Sequence, residues 1–299
     1  MKLLPFFRKP VCNPVVIASD LPSWGRVALA VGVPVLEKRG IQVCALPTAL
    51  LSAHGAYPGS ALHSQSAFMA DSIAHLERLD IRFSALLSGF VAEAAQFDLL
   101  EPLVKRVRSS GGLVLVDPVM GDHGSLYSFF NESFVQRMRA FIAHADIITP
   151  NLTEAALLLG TDHAQLAHAE KPELLDALKS LARLGPRFVA ITSAPAGVRS
   201  AGNTKSPGGN TKALAGSAAD RTGVALYDAA ADRALFITHA RLGSSYPGTG
   251  DLFAAELLGR LVSGEPFFAA GRRTVSRVRR SIAASCSAGG DPRAGLRKL

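Results

Sequence analysis

SALLSGFVAEAAQFDLLEPLVKRVRSSGGLVLVD, residues 84–117, holds two short apolar runs separated by a longer segment of helical period. The pattern predicts strands at 84–90 and 113–117 joined by a helix over 94–109, the unit from which largely parallel sheets are built. The same alternation extends in both directions. Toward the N-terminus, PVVIAS (14–19) and IQVCALP (41–47) read as strands, with helices at about 25–38 and 64–79. Toward the C-terminus, DIIT (146–149) and RFVAIT (187–192) are the next strands, among helices at about 131–144, 153–160 and 172–184. VALYD (224–228) and RALFITHA (233–240) predict an antiparallel pair, and helices over about 249–263 and 266–286 complete the series. The expected fold is an α/β/α sandwich of three layers around a largely parallel central sheet. In such folds ligands gather at the carboxyl ends of the strands.

The chain has 299 residues, 48% hydrophobic and 19% charged, which is ample for a core and excludes disorder over most of its length. No apolar run approaches the roughly 20 residues of a membrane span, and prolines 5 and 10 interrupt the opening MKLLPFFRKPVCN. The expected organisation is an N-terminal extension over 1–13, a single domain over 14–290, and a basic tail over 291–299. GVRSAGNTKSPGGNTKALAGSAADRTG (197–223), poor in apolar periodicity, reads as a flexible insertion within the domain. Three scattered cysteines, Cys12, Cys44 and Cys286, form neither a disulfide framework nor a metal-ligand pattern, so a cytoplasmic, reducing setting is expected. The formal charge of +8 is concentrated between Glu265 and Leu299, where eight basic residues face two acids. That placement argues for a solvated helix face and a frayed tail, and against a nucleic-acid partner.

Three segments carry chemistry. SSYPGTGDLFAAELLGRL (244–261) is a glycine-rich turn running straight into a helix. Gly248 and Gly250 allow close approach of backbone to a ligand, and the first N–H groups of the helix form an anion hole. Asp251 beside that hole can take a proton from a substrate hydroxyl, or simply serve as a first-turn acid. LVLVDPVMGDHGSLY (113–127) places Asp117 at a strand end and Asp122 five positions later, a pair suited to Mg²⁺ and polyphosphate or to an ordinary turn. ADIITPNLTEAALLLG (145–160) puts Asn151 and Glu154 in the spacing of a capping box, whose Glu can also hold a water of hydrated Mg²⁺.

Together the three segments resemble the pyridoxal kinases (pyridoxine/pyridoxamine kinases) of the ribokinase superfamily. DPVMGD (117–122), TPNLTEA (149–155) and GTGDLFA (248–254) stand in that family's order and spacing, and ALPTALLSAHGAYPG (45–59) and LLSGF (86–90) are similar to its vitamin-side segments. The resemblance implies a ribokinase-like kinase, cytoplasmic and dimeric, acting on a B6 vitamer with ATP, Mg²⁺ and a monovalent cation such as K⁺. By the same resemblance Asp251 is the base acting on the 5′-hydroxymethyl group, with Gly248, Thr249 and Gly250 as the anion hole. Asp117, Asp122, Tyr127, Asn151 and Glu154 would surround the nucleotide, Asp122 and Glu154 toward the metal, with Thr192 and Ser193 near the phosphates. Asp20, His54 and Phe90 would hold the substrate ring, and a carboxylate at Asp20 facing a pyridine nitrogen would favour its protonated form.

The chain also departs from the family pattern. Pro22 and Ser23 replace a common Ser-Gly pair in the first loop, and the loop of His54 is one residue shorter. Two alternatives stay open. One is a hydroxymethylpyrimidine kinase, whose members commonly carry Cys where Asp251 stands. The other is a vitamer- or nucleotide-binding paralogue with weakened catalysis.

Overall fold

The computed structural model describes residues 13–195, 221–243 and 245–299. The expected N-terminal extension up to residue 12, with Cys12, and the expected insertion over 197–220 lie outside the described residues. The first half runs β1 (Val15–Pro22), α1 (Leu29–Glu37), β2 (Val43–Leu51), β3 (Leu62–Ser64), α2 (Ser66–Arg78), β4 (Ala85–Ser88), α3 (Ala95–Ser109) and β5 (Leu113–Val116). A small hairpin of β6 (Gly121–Asp122) and β7 (Ser125–Leu126) follows, then α4 (Glu132–Ile142), β8 (Ile147–Ile148), α5 (Leu152–Leu159), α6 (His163–Ala167) and α7 (Lys171–Ala182). The rest comprises β9 (Phe188–Ala194), β10 (Arg221–Asp228), β11 (Arg233–Ala240), α8 (Thr249–Val262) and α9 (Phe267–Ala288).

Nine strands form one sheet in the order β11-β10-β9-β8-β5-β4-β1-β2-β3. The six from β9 to β2 are mutually parallel, while β10, β11 and β3 pair antiparallel at the edges. The central strands are apolar on both faces because helices cover both. Val16, Leu86, Val114 and Ile148 point into one core with Phe97, Phe134 and Phe141, whereas Ile17, Leu87, Leu115 and Ile147 point into the other with Val31, Leu252 and Leu257. The expected three-layer sandwich is therefore the one observed.

The differences from the sequence reading lie at element ends and have physical causes. The helix expected from residue 25 begins at Leu29, because Gly25 (φ 93) and Ala28 (φ 51) hold left-handed backbone that a helix cannot continue. β2 runs on to Leu51, and between Ser19/Pro47 and Leu21/Leu50 its register with β1 slips by one residue. That bulge lies beside Asp20, and bulges of this kind re-aim side chains next to functional sites. Residues 221–223, expected to close the insertion, open β10 instead. The β6–β7 hairpin was not expected; His123 (φ 52) and Gly124 (φ 80) supply the two positive φ angles of its tight turn.

The basic C-terminal stretch is not a frayed tail. Leu296 is fully buried in the core beneath α1 and α8. Arg26 donates from its backbone to Ala294 at 3.2 Å and from its guanidinium to the Leu296 carbonyl at 2.9 Å, while Ser285 accepts from the Arg297 N–H at 2.9 Å. Truncating a side chain so enclosed removes apolar contact and leaves a cavity. Leu296→Ala is expected to lower unfolding free energy by about 2–5 kcal/mol in a urea titration, whereas a frayed tail would give no change.

Candidate functional site

The sheet delivers its chemistry at the carboxyl ends of β1, β4 and β5. Asp117 follows β5 directly; its N–H donates to the Ser88 carbonyl at 2.8 Å, and Thr149 Oγ1 donates to its Oδ1 at 2.9 Å. Asp20 lies in β1, buried, with Ser19 Oγ 3.4 Å from its Oδ1. Asp251 stands in the first turn of α8, three residues past the N-cap Gly248. Ser19, Gly89, Asp117 and Asp251 line one small cavity.

Two backbone features shape the hole at the start of α8. Gly248 has φ 86, and a Cβ there would sit 2.2 Å from the Arg26 carbonyl oxygen, so no other residue fits. Ala28 holds a positive φ without being glycine (φ 51, ψ −124), and its N–H counts among the groups that hold the Asp251 carboxyl down. Backbone strain of this kind clusters at functional sites, where surrounding structure enforces it. Thr249 Oγ1 donates to the Tyr246 carbonyl at 3.1 Å, leaving the first N–H groups of α8 facing the cavity end of the helix.

Beyond the small cavity, the capping box read from the sequence is present. The Asn151 N–H donates to Glu154 Oε2 at 2.8 Å, and the Glu154 N–H donates to Asn151 Oδ1 at 2.9 Å. The Asn151 amide also donates to the Gly121 carbonyl at 2.9 Å, and Thr153 Oγ1 accepts from the Gly124 N–H at 2.9 Å, so the β6–β7 hairpin is tied to the first turn of α5. The hairpin carries the half-exposed Asp122 and leads into Tyr127, whose N–H donates to the Met120 carbonyl at 2.9 Å. Thr192 reaches the same corner through its N–H, 2.8 Å from the Pro150 carbonyl, and Ser193 beside it is exposed with φ 58.

The electrostatics bind these residues into one site. Burial, then the charge of Asp251, pushes Asp20 up to about 7 and Asp117 likewise up to about 7. Burial holds Glu154 well above the usual carboxylate range, with Asp117 adding to it. Burial also raises Asp251, against hydrogen bonds from Ala28 and its own N–H and against the nearby His54. The Tyr127 phenol is raised by burial and by the charges of Glu154, Asp122, Asp251 and Asp117. No lysine or arginine among the described residues counts among the causes for Asp20, Asp117, Glu154 or Asp251. Such a cluster suits cationic or hydrogen-bond-donating ligands. Among the described residues no three potential metal ligands converge, so a metal here would be held largely through phosphate oxygens and water, as Mg²⁺ commonly is.

His54 is buried and fully engaged. Its Nε2 lies 2.7 Å from the Arg293 carbonyl, which can only accept, so Nε2 carries the proton. Nδ1 accepts from the Ala56 N–H at 3.3 Å. Both nitrogens being used within the protein, His54 can meet a substrate only through its ring carbons. Gly25 lies against that ring, where a Cβ would come within 2.2 Å of Cδ2. Phe90 takes a hydrogen bond from Thr48 on its carbonyl at 2.7 Å and gives one from its N–H to Ser19 Oγ at 3.1 Å. Its ring meets Phe129 edge-on at 5.8 Å, and Phe129 stacks on Tyr127 at 5.8 Å. Phe129, 57% exposed, thus joins the two sides of the site. Sequence reasoning passed over it, although the run of Tyr127, Phe129 and Phe130 was a visible aromatic concentration in a chain only 7% aromatic.

The geometry agrees with what the chain is similar to. The family model described as phosphomethylpyrimidine kinase matches residues 59–294. A pyridoxine/pyridoxal/pyridoxamine kinase of Bordetella avium is 29% identical over 266 residues, covering 86% of this chain and 80% of its own. The pyridoxal kinase of Ovis aries is 30% identical over 235 residues, 75% of this chain and 69% of that protein. Among solved structures, a Bacteroides thetaiotaomicron protein given the name phosphomethylpyrimidine kinase, in a crystal form with pyridoxal, superposes with a TM-score of 0.83 at 33% identity, covering 95% of this chain and 92% of that one. The pyridoxal kinase of Lactobacillus plantarum superposes with a TM-score of 0.77 at 30% identity over 95% and 93% of the two chains. Fold, site and relatives converge: the chain belongs to the pyridoxal kinase family of ribokinase-like enzymes.

Proposed function

We propose that this chain transfers the γ-phosphoryl group of ATP to the 5′-hydroxymethyl group of a B6 vitamer. The observation that carries the reading is Asp251, a half-buried carboxylate in the first turn of α8, set beside free helix N–H groups and lining one cavity with Asp117. Asp251 accepts the proton of the attacking hydroxyl, while the N–H groups of Gly248, Thr249 and Gly250 neutralise charge on the phosphoryl group in transit. Burial raises Asp251 toward the pH at which a base works best. Asp117, Asp122, Tyr127, Asn151, Glu154, Thr192 and Ser193 frame the nucleotide. Bound Mg²⁺ would supply charge neutralisation between the phosphates, with Asp122 and Glu154 as its anchors through water. Asp20, Phe90 and the ring carbons of His54 hold the vitamer, and the protein named with pyridoxal among its structural neighbours supports that substrate class.

The same reading includes a homodimer and a reducing, cytoplasmic setting. Leu21 and Leu50, partners in the β1–β2 register, are 39% and 43% exposed side by side, and Cys44 and Cys286 are free thiols. A monovalent cation is also part of the reading. No helix among the described residues is long and apolar enough to cross a membrane. Hydroxymethylpyrimidine is the second substrate worth testing, on the description of the matching family model.

Two outcomes are expected. In an ADP-release assay with MgATP and each of pyridoxal, pyridoxine, pyridoxamine and hydroxymethylpyrimidine, a B6 vitamer yields the phosphorylated product by mass, and Asp251→Asn lowers kcat at least about 100-fold; undiminished turnover in that variant would sink the mechanism. The second concerns pH. Asp20 is raised from 3.8 to about 7 in the folded chain, so its stabilising share is complete below its unfolded pKa and is lost as pH rises through 7. The melting temperature of the ligand-free protein should therefore fall between pH 5 and pH 8, and Asp20→Asn should remove part of that fall, being closest to wild type at the acid end.

A further inference from the structure

A cleft outside the catalytic site lies between α1, α8 and α9, with a volume of about 310 Å³. Lys38, Arg39, Arg260, Arg277 and Arg280 line it, with Glu256 as the one carboxylate side chain among them. Along α8, Arg260 is nine residues beyond Asp251, about 14 Å at 1.5 Å per residue, so the cleft is distinct from the anion hole at the other end of the same helix.

Two of the cations are fixed in place. Glu256, 6% exposed at its side chain, accepts from Arg39 Nε at 3.2 Å, Arg39 Nη2 at 2.8 Å and Arg260 Nη2 at 2.6 Å. Burial alone would raise this carboxyl, but the two guanidiniums together bring it below its ordinary value. Gly259 makes the arrangement possible: a Cβ there would come within 2.8 Å of Arg39 Cδ and 2.9 Å of Leu36 Cδ2. Arg260 also donates to Glu265 at 3.0 Å, and its buried Nε has no partner among the described residues. The other three cations have no carboxylate side chain as partner among the described residues. Lys38 Nζ reaches the Leu299 carbonyl at 3.3 Å, and Arg280 Nε makes a long contact with the Ser276 carbonyl at 3.4 Å.

Five cations, two just past the end of α1 and three on α8 and α9, thus line a concave space that also holds Glu256 and the Leu299 main-chain oxygen, with Glu265 on the far side of Arg260. Arg277 and Arg280 keep their charge without a carboxylate partner among the described residues, so a further anion lowers the remaining repulsion, and planar guanidinium forks match phosphate oxygens in pairs. The concavity favours a small molecule over a polynucleotide, which would need charge spread along a surface. We infer that this cleft is a second anion site that takes a small phosphate-bearing molecule with at least two negative charges.

Calorimetric titration of the full chain with inorganic pyrophosphate tests the assignment without relying on catalysis. Wild type should show two binding events, one at the anion hole and one at the cleft, whereas Arg277→Ala with Arg280→Ala should keep the first and weaken the second at least tenfold. Both side chains reach the surface of α9, so kcat with saturating substrates should be unchanged and will report an intact fold. An isotherm of the double variant that superimposes on wild type would overturn the assignment. So would a loss of duplex DNA binding with the pyrophosphate isotherm unaltered, since the arginines would then serve a polynucleotide.

Discussion

The withdrawal of carboxylates from water at one end of the sheet governs this molecule more than any single contact. Asp20, Asp117, Glu154 and Asp251 are withdrawn from water at the strand ends without a lysine or arginine among the described residues to balance them. Burying uncompensated acids costs free energy, and the fold meets that cost by proton uptake, by backbone N–H donors and by leaving room for a ligand that brings positive charge or hydrogen-bond donors. The two apolar cores on either face of the sheet hold the strand ends rigid enough for the arrangement to persist. Stability surrendered at the site is what ligand binding can restore.

The layered architecture was legible because both of its signals are local. Apolar runs such as LVLVD and the helical period between them need no knowledge of distant residues, and the capping box of Asn151 and Glu154 is set by four consecutive positions. Element ends were less legible. Nothing in the residues 25–28 announces that Ala28 takes a positive φ or that its N–H acts on Asp251, more than two hundred positions away. The slip in register beside Asp20 is likewise a property of two strands together.

The site divides along the same line. Asp117, Asp251 and Glu154 stood out because acids at strand ends and beside glycine turns are visible in a linear chain, and the structure brings Asp117 and Asp251 to one cavity. His54 was placed by family resemblance, and its bond to the Arg293 carbonyl could not be read from either segment alone. The basic C-terminal stretch misled for a similar reason: composition records its charge but not Leu296, a single apolar residue that anchors it in the core.

That anchoring bears on how the protein is made. The carbonyl that fixes the His54 tautomer belongs to a residue 239 positions downstream, which at 5–20 residues per second leaves the ribosome roughly 10–50 s later. For that interval the nascent chain can assemble β1, β2 and β4 while the wall of its pocket is still unlatched. The contact that fixes the His54 ring therefore forms only once nearly the whole chain has been made.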